Sequence, residues 1–371
     1  MSNVADLLAP LIALRTDQPH ADERPLARHL EAQLGARGAD EVVLCEVPRR
    51  GAHGAYVLAR WGRPRLLLNA HLDTVPPNEG WTADPFTARR SDEGGGRTTG
   101  LGACDTKGAI AAILAALDTA RPTDLAVLFS GDEEHGGSCL RAFVEGPLRA
   151  PGGAAAEVER AIVFEPTSCR VGTRHRGVLA IEARLAGQGG HSSRADALPQ
   201  PLAELARVAA AWSDWGRARA AAGPPGFPGL CFNVARLDGG VAFNVVPDEA
   251  RLLCSLRPPP GADAAALRDE LCALARALCP AATFTFPVDH PPFATADLEA
   301  FAALGFAPAA APPIDLAFWT EAATLAEAGI DAVVYGPGDI ARAHAPDEFV
   351  PHSELTQVRD TLAALIRTLR S

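Results

Sequence analysis

The sequence predicts an α/β protein whose mixed sheet is flanked by helices, with a smaller α+β segment inserted into it. Three observations carry that expectation. Short, continuously apolar runs such as Arg65–Ala70 read as strands buried on both faces, which is the texture of a parallel sheet. Stretches with helical periodicity alternate with these runs. From about Arg174 the texture changes to alternating strands and two helices, and near the C-terminus it returns to the first pattern. At 371 residues the chain is long enough for two domains. They are expected at residues 1–174 plus 288–371, a discontinuous core, and at 175–287, the insert.

Residues Val4 to Gly35 carry apolar positions at helical spacing, interrupted by TDQPHADERP, and predict two helices. EVVLCEV, AYVLARW and RLLLNAHLD predict three strands bounded by Gly, Pro and charge. After the Gly-rich loop Gly94–Gly96, DTKGAIAAILAALDTA predicts a long Ala/Leu-rich helix. DLAVLFSGDEE and ERAIVFEPTS then repeat one pattern, an apolar strand whose C-terminal end runs into carboxylates. In open α/β sheets, ligands sit outside those ends. Within the insert, VLAIEARLAG, CFNVARLDGG and EARLLCSLRP predict strands, and PQPLAELARVAAAWSDWG and ADAAALRDELCALARALC predict helices. The chain closes with a helix near WTEAATLAEAG, a strand in DAVVYGPG, a His-bearing loop and the helix LTQVRDTLAALIRTLR.

With 34 Lys and Arg against 45 Asp and Glu, the formal charge is −11 and no basic stripe is present, which argues against a nucleic-acid partner. Eight Cys without a CxxC pair suit reduced thiols and a cytoplasmic location. The N-terminus lacks a basic region followed by a cleavage site, and no apolar run reaches the ~18–20 residues of a membrane span.

Five clusters carry chemistry. In NAHLDTVP, His71 and Asp73 stand two apart after a buried strand, so that on an extended segment Asp73 could hold the His71 ring; a strand-end His with a capping Asp is the alternative. In GACDTKG, Asp105 opens the long helix, as a ligand or as an N-cap. In SGDEEHGG, Asp132, Glu133 and Glu134 crowd together, which costs repulsion unless a cation is present or the loop is solvated. Glu165 in VFEPT follows another buried strand, and His344 in YGPGDIARAHAPDEF follows a Gly/Pro turn. Together two His and three carboxylates converge on one sheet edge. Oxygen and imidazole ligands suit Zn, Co or Mn, and five of them suit two ions about 3.5–4 Å apart sharing a carboxylate.

In order and wording, NAHLDTVP, GACDTKG, GDEEHGG, FEPTS and GPGDIARAHAPDEF resemble the dinuclear zinc metallopeptidase and deacylase superfamily of acetylornithine deacetylase, succinyl-diaminopimelate desuccinylase, aminoacylase and the carboxypeptidase G type. The resemblance covers almost the whole chain. It implies a zinc-peptidase-like fold with two divalent ions, zinc first, then cobalt or manganese. It implies that Asp105 bridges them, that His71 and Glu165 complete one site, and that Glu134 and His344 complete the other. Glu133 matches the general base and Asp73 the carboxylate that orients the ligating His. The insert matches a lid that mediates homodimerisation, and His191 in GQGGHSS matches the lid His that stabilises the oxyanion across the dimer.

FNVARLDGG, FWTEA and VYGPGDIARAHAPDEFV look closest to the acetylornithine and acetylcitrulline deacetylase branch of arginine biosynthesis. The implied substrate is a small N-acyl amino acid, whose α-carboxylate wants an Arg fork; Arg257, Arg176 and Asn244 are the candidates. His175 and Cys104 read as structural. The competing expectations are a desuccinylase-like deacylase or a metallo-di/aminopeptidase of the same superfamily, and a catalytically dead scaffold, against which every ligand and the base are in place.

Overall fold

The computed structural model describes residues 3–19, 21–49, 52–148, 150, 152–153, 155–308 and 311–369. In chain order, helices α1 (Val4–Ala13) and α2 (Arg24–Ala36) precede strands β1 (Glu41–Arg49), β2 (Ala52–Trp61) and β3 (Leu66–His71). Helix α3 (Lys107–Thr119), β4 (Leu125–Ser130), helix α4 (Ser138–Glu145) and β5 (Arg160–Val163) follow. Next come β6 (Val178–Ala186), α5 (Pro201–Arg219), β7 (Cys231–Gly239), β8 (Glu249–Arg257), α6 (Ala264–Leu278) and β9 (Thr283–His290). Strand β10 (Asp331–Val334) and helix α7 (His352–Thr368) close the chain.

Two compact units result. The first comprises residues 1–173, 295–314 and 320–371, and six strands of its larger sheet run in the order β1-β2-β4-β3-β5-β10. Every residue of β3 and β4 is buried, as their largely apolar runs require, and the polar interruption in β3, Asn69, donates to the Ser130 hydroxyl at 2.9 Å. β3 pairs parallel with β4, from Leu66 opposite Leu125 to His71 opposite Ser130, and parallel with β5; β5 pairs parallel with β10. Because these four strands share a direction, the segments leaving β3, β4, β5 and β10 emerge at one edge. β2 and β1 add antiparallel strands on the far side. Helix α3 is buried from Lys107 to Leu117 and packs against α1 and α7, and its Ala-rich surface allows that close approach on all sides.

The second unit comprises residues 174–294 and 315–319. Its antiparallel sheet has the order β7-β8-β6-β9. Alternate residues of β6 and β8, such as Leu179, Ile181, Leu252 and Cys254, join Trp212 of α5 and Leu271 of α6 in a separate core. Besides taking in 315–319, the second unit therefore runs on to 294, past the expected 287. The cause is β9, which the sequence did not signal: it pairs with β6 through His290 opposite Val178, and a register shift between Thr285 and Val288 accommodates Pro287. Among the described residues no helix is long and apolar enough to cross a membrane.

Candidate metal centre

All five ligand candidates lie in the first unit, at the end of a strand or on segments that follow its strands or lead into its helices. His71 is the last residue of β3. Its Nδ1 lies 2.9 Å from the main-chain carbonyl of Asp73, which fixes that nitrogen as the donor and turns Nε2 inward. Nε2 then faces Asp105 Oδ1 at 2.9 Å and Glu165 Oε1 at 3.9 Å. A lone pair aimed at two carboxylates is repelled unless a proton or a cation lies between them.

Asp105 is not the N-cap of α3. That position belongs to Thr106, whose hydroxyl donates instead to the carbonyl of His71 at 2.9 Å. The Asp105 carboxylate is buried, with Oδ1 on His71 and Oδ2 3.4 Å from His344 Nε2. His344 Nε2 also lies 2.8 Å from Glu134 Oε1, and its own backbone is left-handed at φ 59°, a conformation that aims the ring back at the cluster. Single donor atoms of His71, Asp105 and Glu134 fall within 4.8 Å of one another, a spacing one ion could fill. This mixture of imidazole and carboxylate fits Zn, Co or Mn.

The charges agree with that reading. Burial would depress His71, but the Asp105 hydrogen bond and charge, with Glu165 and Glu133, raise it well above the ordinary imidazole range. Hydrogen bonds to Asp105 and Glu134 push His344 up to about 10. Burial resists ionisation of Asp105, yet the two imidazoles hold it well below the usual carboxylate range. Burial, and after it the neighbouring carboxylates, push Glu133 and Glu165 well above theirs.

Asp73 differs from its expected geometry. Strand β3 ends at His71, so the same-face rule for alternate strand residues does not reach Asp73. Its carboxylate stands 3.7 Å from His71 Nδ1 and instead accepts the amides of Glu133 at 3.1 Å and Glu134 at 3.0 Å. Asp73 thus orients the ring through its carbonyl and the Glu133–Glu134 turn through its carboxylate.

Sequence reasoning missed several buried groups behind the site. Glu23, in the segment between α1 and α2, accepts the amides of Ala55 at 2.9 Å and Asp132 at 3.0 Å. Glu321 accepts the Ser130 hydroxyl at 2.6 Å, and burial pushes its carboxyl up to about 7. Lys107 donates to the carbonyl of Leu14 at 2.8 Å, and burial lowers it to about 8. Sequence spacing alone gives no sign that any of the three is buried, because each depends on partners far away in the chain. Cys104 is buried beside Asp105 with its thiol pushed well up by burial, which leaves it protonated and a packing residue.

His191, Asn244, Arg257 and Arg176 belong to the second unit. His191 pairs with Val245, and the amide of Ser192 donates to the carbonyl of Asn244 at 3.0 Å, so His191 and Asn244 adjoin. His191 Nδ1 accepts the amide of Ser193 at 3.2 Å, which assigns its proton to an exposed Nε2. Arg257 is exposed at the end of β8, opposite Cys231. Arg176 donates to the carbonyl of Gly229 at 3.0 Å and lines a cavity with Ser213, Arg217 and Phe232. His175 is fully buried against Phe293, and burial lowers it to about 4, a neutral core residue.

The sequence profile of Peptidase family M20/M25/M40 matches residues 67–368. The chain is 35% identical to N-acetyl-L-citrulline deacetylase of Xanthomonas campestris pv. campestris over 99% of its own length and 98% of that protein's. It is 32% identical to acetylornithine deacetylase of Myxococcus xanthus, over 90% of this chain and 85% of that one. Among solved structures, an M20 family metallo-carboxypeptidase from Sulfolobus solfataricus superposes with a TM-score of 0.73 at 16% identity, covering 100% of this chain and 99% of that one.

Proposed function

Because the chain belongs to Peptidase family M20/M25/M40, a family of dinuclear metal hydrolases, we propose that it removes the acetyl group from an N-acetyl amino acid, N-acetylcitrulline or N-acetylornithine, in arginine biosynthesis in the cytoplasm. The observation that carries the metal chemistry is Asp105, which presents one oxygen to His71 and the other to His344. His71, Asp105 and Glu165 would hold one ion, and Asp105, Glu134 and His344 the other, with zinc favoured over cobalt or manganese by the donor set. When bound, two such ions polarise an acyl carbonyl and acidify water.

The protein's own groups do the rest. Glu133 stands beside the cluster in the turn fixed by Asp73, and its raised proton affinity suits a base that takes a proton from the attacking water and returns it to the leaving amine. His191, with its proton on an exposed Nε2, can donate to the oxyanion. We assign that His191 to a second copy of the chain. Among the described residues the edge strand β7 is paired on one side only; it exposes Val234 and Leu237, and the nearby Phe243 is 99% exposed, a surface suited to a homodimer of the second unit. Arg257, Arg176 and Asn244 are the groups for the substrate's α-carboxylate.

Steady-state kinetics on N-acetylcitrulline, N-acetylornithine, succinyl-diaminopimelate and a dipeptide panel test the reading. We expect the highest kcat/KM on one of the two acetyl substrates. A higher value on dipeptides or on the succinyl substrate assigns the chain to the peptidase or desuccinylase chemistry of the same fold instead.

A further inference from the structure

Three main-chain amides near the centre of the cluster converge on one buried carboxylate outside it. Glu348 is 2% exposed, and its Oε1 accepts the amides of Cys104 at 2.7 Å and Asp105 at 3.0 Å, while its Oε2 accepts that of Gly102 at 3.0 Å. Its own carbonyl accepts the amide of Gly100 at 2.9 Å. The register that brings this about is set next door, where Phe349–Pro351 pairs antiparallel with Arg97–Thr99, Phe349 opposite Thr99. One residue beyond that pair, Glu348 meets the loop before α3 along both its main chain and its side chain. Glu348 also lies four residues after His344, whose carbonyl accepts from the side-chain Nδ2 of Asn78 at 2.5 Å.

We propose that Glu348 is a positioning residue for the metal centre: by gathering the amides of Gly102, Cys104 and Asp105 on its carboxylate, it fixes the Asp105 side chain between the two histidines. The segment 344–348 therefore supplies both a candidate ligand and the clamp on the carboxylate that faces it. This rests on the reading of Asp105 as the ligand shared by two ions. The clamp requires an anion with two acceptor oxygens. A glutamine keeps one oxygen and turns an NH2 group toward an amide N–H, which leaves a buried donor unpaired. Because Asp105 is shared, loosening it weakens both ion positions, whereas loss of His344 weakens one.

The test is titration of the metal-free full-length protein with Co(II), followed by visible absorption, in wild type, E348Q, H344A and D105N. In E348Q we expect both binding steps to weaken about 10–100-fold with an altered Co(II) spectrum, in H344A only one step to weaken, and in D105N both to be lost. If D105N still binds two ions normally, the shared-ligand reading fails. If D105N loses metal but folded E348Q binds both ions with wild-type affinity and spectrum, the positioning role alone is overturned. Should E348Q not fold, amide exchange in the metal-free wild type decides the matter: protection of the Gly102, Cys104 and Asp105 amides supports the clamp, and rapid exchange overturns it.

Discussion

His344 Nε2 lies 2.8 Å from Glu134 Oε1, across 210 residues of chain. One residue comes from the turn after β4 and the other from the loop after β10, and the parallel run of these strands brings both to the same edge. The pair is the outer half of the cluster, with His344 half exposed and Glu134 nearly covered. Replacing His344 by Ala is therefore expected to reduce bound zinc from two equivalents to one and to lower kcat at least about 100-fold. Metal analysis of the dialysed variant checks it; two tightly held ions would contradict the ligand assignment.

Glu133→Gln separates chemistry from metal binding. Its carboxylate lies beside the cluster, and its amide is already held by Asp73. The isosteric change should cost about 10²–10⁴-fold in kcat with metal content unchanged. A variant within a few-fold of wild type would remove Glu133 from the base role.

Asp73→Asn should act through position. The amide group turns donors toward the main-chain N–H of Glu133 or Glu134, where the carboxylate accepted both. We expect a folded-state penalty of about 1–3 kcal/mol and a fall in kcat larger than any rise in KM, because the proposed base and one proposed metal ligand share that turn. A change confined to KM would oppose this.

A His191 that acts across a dimer makes complementation possible. Mixed in equal amounts and allowed to exchange subunits, inactive E133Q and H191A chains form heterodimers with one intact site, and about a quarter of wild-type activity should return. If the mixture stays inactive while exchange is demonstrated by mass, His191 does not serve the partner's site.

The metal-free protein should lose stability as pH rises from about 5 to 8. Burial pushes Asp73 up to about 6 and Glu348 and Glu321 up to about 7. Unfolded, these acids titrate near about 4, so between about 4 and 7 the folded state holds the extra protons and gives up stability as it ionises. His344, raised to about 10, has the same sign: its contribution is complete below its unfolded value and is lost as pH rises through the folded one. Lys107, lowered to about 8, works the other way only above that pH, and His175, lowered to about 4, works the other way between about 4 and 6.5 but is one group against three buried acids. Melting temperatures of chelator-treated protein should fall across the window, and excess zinc should reverse the trend, since its ligands bind deprotonated. A rising metal-free profile would count against the buried acids.

The sequence by itself determined the parallel strands β3, β4, β5 and β10, the edge they share and the identity of the side chains clustered there. An uninterrupted apolar run can be satisfied only by burial on both faces, and a His or carboxylate at its end has no apolar partner there. The tertiary structure decided what the one-dimensional pattern leaves open. His71 is held by the carbonyl of Asp73 because the chain turns off the strand axis at that residue. β9 escaped notice because Pro287 interrupts its alternation, and only pairing with β6 absorbs it. Glu23 and Glu348 stand in polar segments whose letters do not tell a buried carboxylate from a solvated one. A carboxylate can be buried when main-chain amides converge on it, and the convergence of amides from Gly102 to Asp105 on Glu348 exists only once the chain has folded.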